Sequence, residues 1–228
     1  FSEPKLQQLF GRYSTYVGGS PLSSPALMAL VWQAEARGVW TVEGGISSVA
    51  RAIEKLAMDR GVEFNYGHRV IEIQKSNSLV NKVPLDDGTS HEADAVIFNG
   101  DPRALATGLL GSDLRNIANK TRNANRSLSA NVWGFESKTI NKNLVHHNVF
   151  FSDKVNSEFF EIEKGQIPLN PTLYICAQDR EEPNKSQKSE RFEIILNAPP
   201  LSKRNQNKED FEICKSVTLE RFKNFGLN

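Results

Sequence analysis

The sequence predicts an α/β plus α+β protein, with a helix-and-sheet segment of nucleotide-binding type and a mixed-sheet lobe. Three observations carry this prediction. A paired-glycine turn, Gly44-Gly45, opens an amphipathic helix. A run of short strands and a hairpin follows, between Val62 and Phe98. From Ser127 onward the chain changes to longer segments rich in Val, Ile, Leu, Phe and Tyr, residues that fit a pleated, half-buried surface.

Taken in order, Phe1–Tyr16 reads as a helix, and Ser24 caps a second one through about Arg37 with Pro25 at its first position. Residues Ala26–Trp32 are apolar almost all round, so they are either buried or lie with one face against an apolar ligand or lipid. Ile46, Val49, Ala50, Ile53, Leu56 and Ala57 then form one stripe of helical period. Ser47 and Ser48 are available as caps, and Gly61 stops the helix. Val62–Phe64 and Arg69–Ile73 read as short strands. Leu79–Leu85 turns at Asp86-Asp87-Gly88 into His91–Phe98, of which Ala93–Phe98 reads as a buried sheet strand. Pro102 begins a helix through about Leu110. The longer segments are Leu128–Phe135, Asn148–Phe151, Thr172–Ala177 and Arg191–Asn197. Solvated loops are expected at Asp179–Glu190 and Ser202–Lys208, and a last helix at about Lys208–Phe225 with Phe211, Cys214, Val217 and Phe222 near one side. The domains expected are 1–42 (helices), 43–110 (helix, meander and sheet strand) and 111–228 (the mixed-sheet lobe).

Composition bounds the function. Hydrophobic residues make up 39% and charged residues 24%, enough for a core. A net charge of +1 gives no electrostatic case for nucleic acid or an anionic membrane. No run of 18 apolar residues is present, so no transmembrane helix is expected. Cys176 and Cys214 are too few for a disulfide framework and read as small buried side chains.

Chemistry-bearing motifs are sparse. His146 and His147 suggest a metal, but neighbours on a strand point to opposite faces and no further ligand sits at metal spacing, so no metal is expected. Neither a Gly-x-Ser-x-Gly elbow nor a P-loop occurs. Asn99 and Asp101 follow a predicted strand of the nucleotide-binding sheet, where ligands collect; the alternative is that they only cap the next helix. Gly44 and Gly45 permit close backbone approach, or simply make a tight turn.

Residues 1–21, from Phe1-Ser2-Glu3-Pro4 to Gly18-Gly19-Ser20-Pro21, together with Gly38-Val39-Trp40-Thr41-Val42-Glu43-Gly44-Gly45, resemble the middle of bacterial carotenoid (phytoene-type) desaturases, within the flavin amine-oxidase superfamily. Residues 146–152, Thr172–Arg180 and Leu196–Pro200 resemble the hydroxyneurosporene (methoxyneurosporene) desaturase branch. The similarity runs through essentially the whole chain. The family's N-terminal G-x-G-x-x-G fingerprint is not found, the chain opens on Phe1, and it ends before the family's closing glycine-rich segment. The expectation is therefore a central fragment of a longer protein, inactive by itself, and the resemblance implies part of a Rossmann-like FAD-binding domain (43–110) interleaved with a mixed-sheet substrate domain (1–42 and 111–228).

The resemblance implies FAD-dependent desaturation of an acyclic carotenoid, hydroxylated or methoxylated, by hydride abstraction. Phytoene or another isoprenoid as substrate, or a flavin-free protein binding an apolar ligand, stay open as alternatives. It also implies that Gly44 and Gly45 lie close to the flavin and that the backbone of Val70 lies near its adenine side; Asn99 and Asp101 complete the candidate cofactor residues. No catalytic acid or base is assigned. Glu3, Arg12, Tyr13 and Glu43 are candidate polar lining. A cytoplasmic protein peripherally attached to the bacterial inner membrane is expected, because carotenoids are long, apolar and stored in membranes.

Overall fold

The computed structural model describes residues 1–138, 144–154, 156–180, 189–204 and 207–227. The loops expected at Asp179–Glu190 and Ser202–Lys208 lie partly outside these residues. The chain forms two compact units, Phe1–Val39 with Arg126–Asn228, and Trp40–Asn125. It thus leaves one unit, builds the other, and returns.

The first unit opens with α1 (Pro4–Gly11), capped by the Glu3 side chain, which accepts from the Lys5 N–H at 3.2 Å. Beyond Gly11 the backbone tightens into a 3-10 helix, Arg12–Val17, ending at Gly18 in the left-handed region (φ 67°). A side chain there would also collide with Ser127, 2.5 Å from an ideal Cβ. The second expected helix is broken: Ala26–Leu30 is 3-10 and α2 covers Val31–Glu35, with Pro25, not Ser24, at the N-cap. Its apolar residues are not core. Leu27 and Leu30 are 69% and 56% exposed, and Trp32 is also exposed.

The second unit holds α3 (Ser47–Met58). Its N-cap is Ile46, without a side-chain cap; Ser47 and Ser48 accept from Arg51 instead, at 3.2 and 2.8 Å. β1 (Gln74–Ser76), β2 (Leu79–Pro84) and β3 (Ser90–Glu92) form an antiparallel meander. The β2–β3 turn is held by Asp87, which accepts from both the backbone N–H and the hydroxyl of Thr89. Three strand expectations fail here. Val62–Phe64 is not a strand, Arg69–Ile73 contributes only the Val70–Leu85 bridge, and 93–98 forms no strand, with Ile97 96% exposed. A β-rich segment becomes a strand only where a neighbour supplies ladder hydrogen bonds. α4 (Pro102–Thr107) ends at Gly108, and a small core joins Ile73, Leu105 and Leu114.

The longer segments all form strands of one sheet: β4 (Ser129–Ser137), β5 (His147–Phe150), β6 (Leu173–Ala177) and β7 (Glu190–Ala198). Their order is β4-β7-β6-β5, antiparallel throughout. α5 (Ser157–Glu163), not predicted from the sequence, precedes β6, and α6 (Lys208–Asn224) closes the unit with an Asn207/Asp210 capping box.

Period-two alternation gives this sheet two chemically different faces. Leu173, Ile175, Ala177, Phe192, Ile194 and Leu196 form the apolar core, joined by Trp133 and Phe222. Burial of each large apolar side chain contributes roughly 1.5–3 kcal/mol. The buried stripe of α6 is Asp210, Cys214, Thr218 and Arg221, not the apolar set expected, and Phe211 is half exposed. Polar partners explain the shift: Arg204 pairs with Asp210, Asn131 reaches the Cys214 sulfur at 3.0 Å, and Arg221 donates to the Phe151 carbonyl at 2.8 Å. The opposite face carries Tyr174 and Cys176 from β6 and Glu193 and Asn197 from β7.

Candidate functional site

α1 sets the site on that second face. Gln8 donates to the Ser152 carbonyl at 2.9 Å, holding the helix beside the β5–β6 end of the sheet. Arg12, at the α1 C-cap, then lies over the Tyr174 ring, 5.7 Å from its centroid. A cavity of about 170 Å³ lies here, lined among others by Arg12, Phe151, Asn156, Glu158 and Thr172.

Glu158 is the unusual member, a carboxyl only 2% exposed. It accepts from the Thr172 backbone N–H at 3.0 Å and from Asn197 at 2.9 Å. Burial raises its pKa above the ordinary value, outweighing those hydrogen bonds and the attraction of Arg12. Burial acts oppositely on Arg12, lowering its pKa while Glu158 pulls it back. The pair therefore puts a donor-only guanidinium and a desolvated carboxyl in the lining of one small cavity.

Beside it, Tyr13 and Tyr16 donate to the two oxygens of one carboxylate, Glu35, at 2.8 and 3.0 Å. Desolvation and this bond push the Tyr13 phenol up to about 12. Of the polar lining residues proposed from the sequence, Arg12 lines the cavity, Tyr13 binds Glu35, Glu3 caps α1, and Glu43 is exposed in the turn before α3. Glu158 and Thr172 were missed: Glu158 sits in an unpredicted helix beside Phe159 and Phe160, with no sequence mark of its role.

The candidate cofactor residues all fall in the second unit. Gly44 and Gly45 have φ of 76° and 83°, and a Cβ on Gly45 would meet nothing within 4 Å. The space beside Gly45 is thus open, as close approach by a ligand requires, whereas a Cβ on Gly44 would meet the Ser48 hydroxyl oxygen at 2.9 Å. Val70 is held by its bridge to Leu85. Asn99 is exposed, and Asp101 caps α4, accepting from Arg103 N–H at 2.9 Å. An open groove of about 510 Å³ runs along α3, lined by Ala50, Ile53, Phe64 and Tyr66 among others.

The histidine pair needs a correction. His146 lies one residue ahead of β5, where Asn148 bonds both the N–H and the carbonyl of Val145 and bends the chain. Strand alternation does not apply across that bend. The two imidazoles meet edge to face, 4.3 Å between centroids, and Cys176 joins them across the ladder.

Among the described residues, no helix is long and apolar enough to cross a membrane.

Comparison with known proteins agrees with the sequence resemblance. Residues 1–197 match the family described as flavin containing amine oxidoreductase. A hydroxyneurosporene desaturase of Cereibacter sphaeroides is 47% identical over 100% of this chain and 46% of its own length. One from Rubrivivax gelatinosus is 42% identical over 100% of this chain and 44% of its own. A 1-hydroxycarotenoid 3,4-desaturase of a Flavobacterium species is 34% identical over 87% and 41%. The chain spans about half the length of the curated relatives it matches, at 46% of the first.

Proposed function

Because this chain belongs to the flavin containing amine oxidoreductase family, we propose that it is part of an FAD-dependent enzyme that introduces a C=C bond into an acyclic, hydroxylated or methoxylated carotenoid. The observation that carries this reading is the 47% identity, along the entire chain, to a protein named hydroxyneurosporene desaturase.

A bound flavin would supply the hydride acceptor that desaturation needs, the second hydrogen of the substrate leaving its neighbouring carbon as a proton. The open Gly44-Gly45 turn is suited to backbone contact with the cofactor, with the Val70 backbone on its adenine side and Asn99 and Asp101 ahead of α4. Arg12 offers donors and no acceptor, so it pairs equally with a hydroxyl or a methoxyl oxygen. The cavity is small and carries Arg12 and Glu158 in its lining, so it suits a substrate's oxygenated end better than its polyene. The exposed Leu27, Leu30 and Trp32 suit peripheral attachment to the cytoplasmic face of a bacterial inner membrane, from which an apolar substrate is drawn.

The test uses the full-length protein loaded with FAD and assayed with a 1-hydroxylated acyclic carotenoid and with phytoene. The hydroxylated substrate should be desaturated with the higher kcat/KM. Arg12→Met should lower that kcat/KM about tenfold, the loss of one charge-assisted hydrogen bond, and leave any phytoene turnover unchanged. Absence of bound flavin, or faster turnover of phytoene, overturns the reading.

A further inference from the structure

A row of chemistry-bearing residues crosses the sheet at His147, Cys176 and Glu193. β5 pairs His147 with Cys176, and β7 places Glu193 opposite Cys176 on its other side. Directly paired residues in an antiparallel sheet project to the same face. The bend ahead of β5 adds His146. One ligand atom from each of His146, His147 and Cys176 falls within 4.8 Å of the others.

We propose that His146, His147 and Cys176 form a binding site for a borderline-soft divalent cation, of which Zn²⁺ is the type. The distances suit it. The Cys176 sulfur and the His146 Nε2 are 3.6 Å apart. Zinc bonds of about 2.3 Å to sulfur and about 2.0–2.1 Å to nitrogen, at tetrahedral angles, separate S and N by about 3.6 Å. Two imidazoles and a thiolate select Zn²⁺ and its analogues over Mg²⁺ or Ca²⁺, which prefer oxygen.

The surroundings add the outer contacts such a site needs. The Tyr174 hydroxyl lies 2.7 Å from His147 Nδ1 and orients that ring, directing Nε2 toward the cation. Three protein ligands leave a fourth position, and Glu193, paired with Cys176 across the ladder, puts a carboxylate on the same face. Cys176 is buried and His147 exposed, so the site is anchored in the sheet yet open to solvent for entry. Coordination converts the Cys176 thiol to thiolate and releases its proton to solvent, about one per cation bound. A bound ion would tie the edge strand β5 to β6.

The experiment is a Co²⁺ titration of the whole chain, cobalt serving as a spectroscopic substitute for zinc, with Zn²⁺ competition followed by calorimetry. One equivalent should produce a thiolate-to-cobalt charge-transfer band and tetrahedral d–d absorption, both bleached by Zn²⁺. The band should be absent in Cys176→Ser and retained in Cys214→Ser, whose cysteine lies on α6, against the opposite face of the sheet. His147→Gln changes an exposed side chain, so its folding is not in question, and it should weaken binding at least tenfold. A wild-type chain without the band, a band lost with Cys214, or unchanged affinity in His147→Gln would each overturn the proposal.

Discussion

The side chain of Asn197 on β7 donates to the buried carboxyl of Glu158 on α5 at 2.9 Å, across 39 residues of sequence. That bond and the one from Thr172 N–H, 3.0 Å, are what an uncovered carboxyl would otherwise obtain from water. Together they attach α5 to the polar face of the sheet and keep Glu158 beside Arg12.

Glu158 should make stability depend on pH. Its folded-state pKa is raised by burial, so the native state holds this proton more tightly than the unfolded chain does. The stabilisation is complete below the ordinary value of 4.5 and is lost as pH rises from there through the raised folded value. Glu158→Gln keeps the shape without ionising. Its melting temperature relative to the parent should climb as pH rises above the ordinary value of 4.5, and parallel curves would show that the group does not titrate differently on folding. Glu158→Leu should instead lose about 1–3 kcal/mol for each partner left unsatisfied.

Gly45 and Gly88 make a controlled pair. Their φ angles are 83° and 84°, and neither has an atom within 4 Å of an ideal Cβ. Valine at either position should therefore cost the same backbone strain, about 1–2 kcal/mol. In the full-length protein the flavin content should diverge: Gly45→Val should be depleted and Gly88→Val should retain it, read by absorbance after purification. Equal flavin in both would mean that the paired glycine serves its turn alone.

Membrane attachment should survive salt. Leu27 and Leu30 are 69% and 56% exposed and the net charge is +1, so apolar contact and not charge would hold the protein to a bilayer. Liposome co-sedimentation of the full-length protein should persist at about 1 M salt, where the screening length is about 3 Å. Replacing both Leu27 and Leu30 by Asp should abolish it with unchanged circular dichroism, since neither side chain is part of the core. Binding lost in salt, or retained by the folded double variant, would refute apolar docking.

Local pattern alone was enough for the four strands between 129 and 198, the Asp87-Gly88 hairpin, α3 and the long C-terminal helix, because alternation, turn chemistry and helical period are written in neighbouring residues. It also marked Gly44-Gly45 and Asp101, whose demands on backbone and cap are local. It misread Ala93–Phe98 as a buried strand, since pairing belongs to a partner and not to the segment. The two polar clusters were decided by tertiary structure. Arg12 meets Glu158, and His146 and His147 meet Cys176, only because β5, β6 and β7 lie side by side and a bend ahead of β5 turns one histidine inward. No spacing along the chain encodes such meetings: burial, desolvation and ligand distance are properties of the folded neighbourhood.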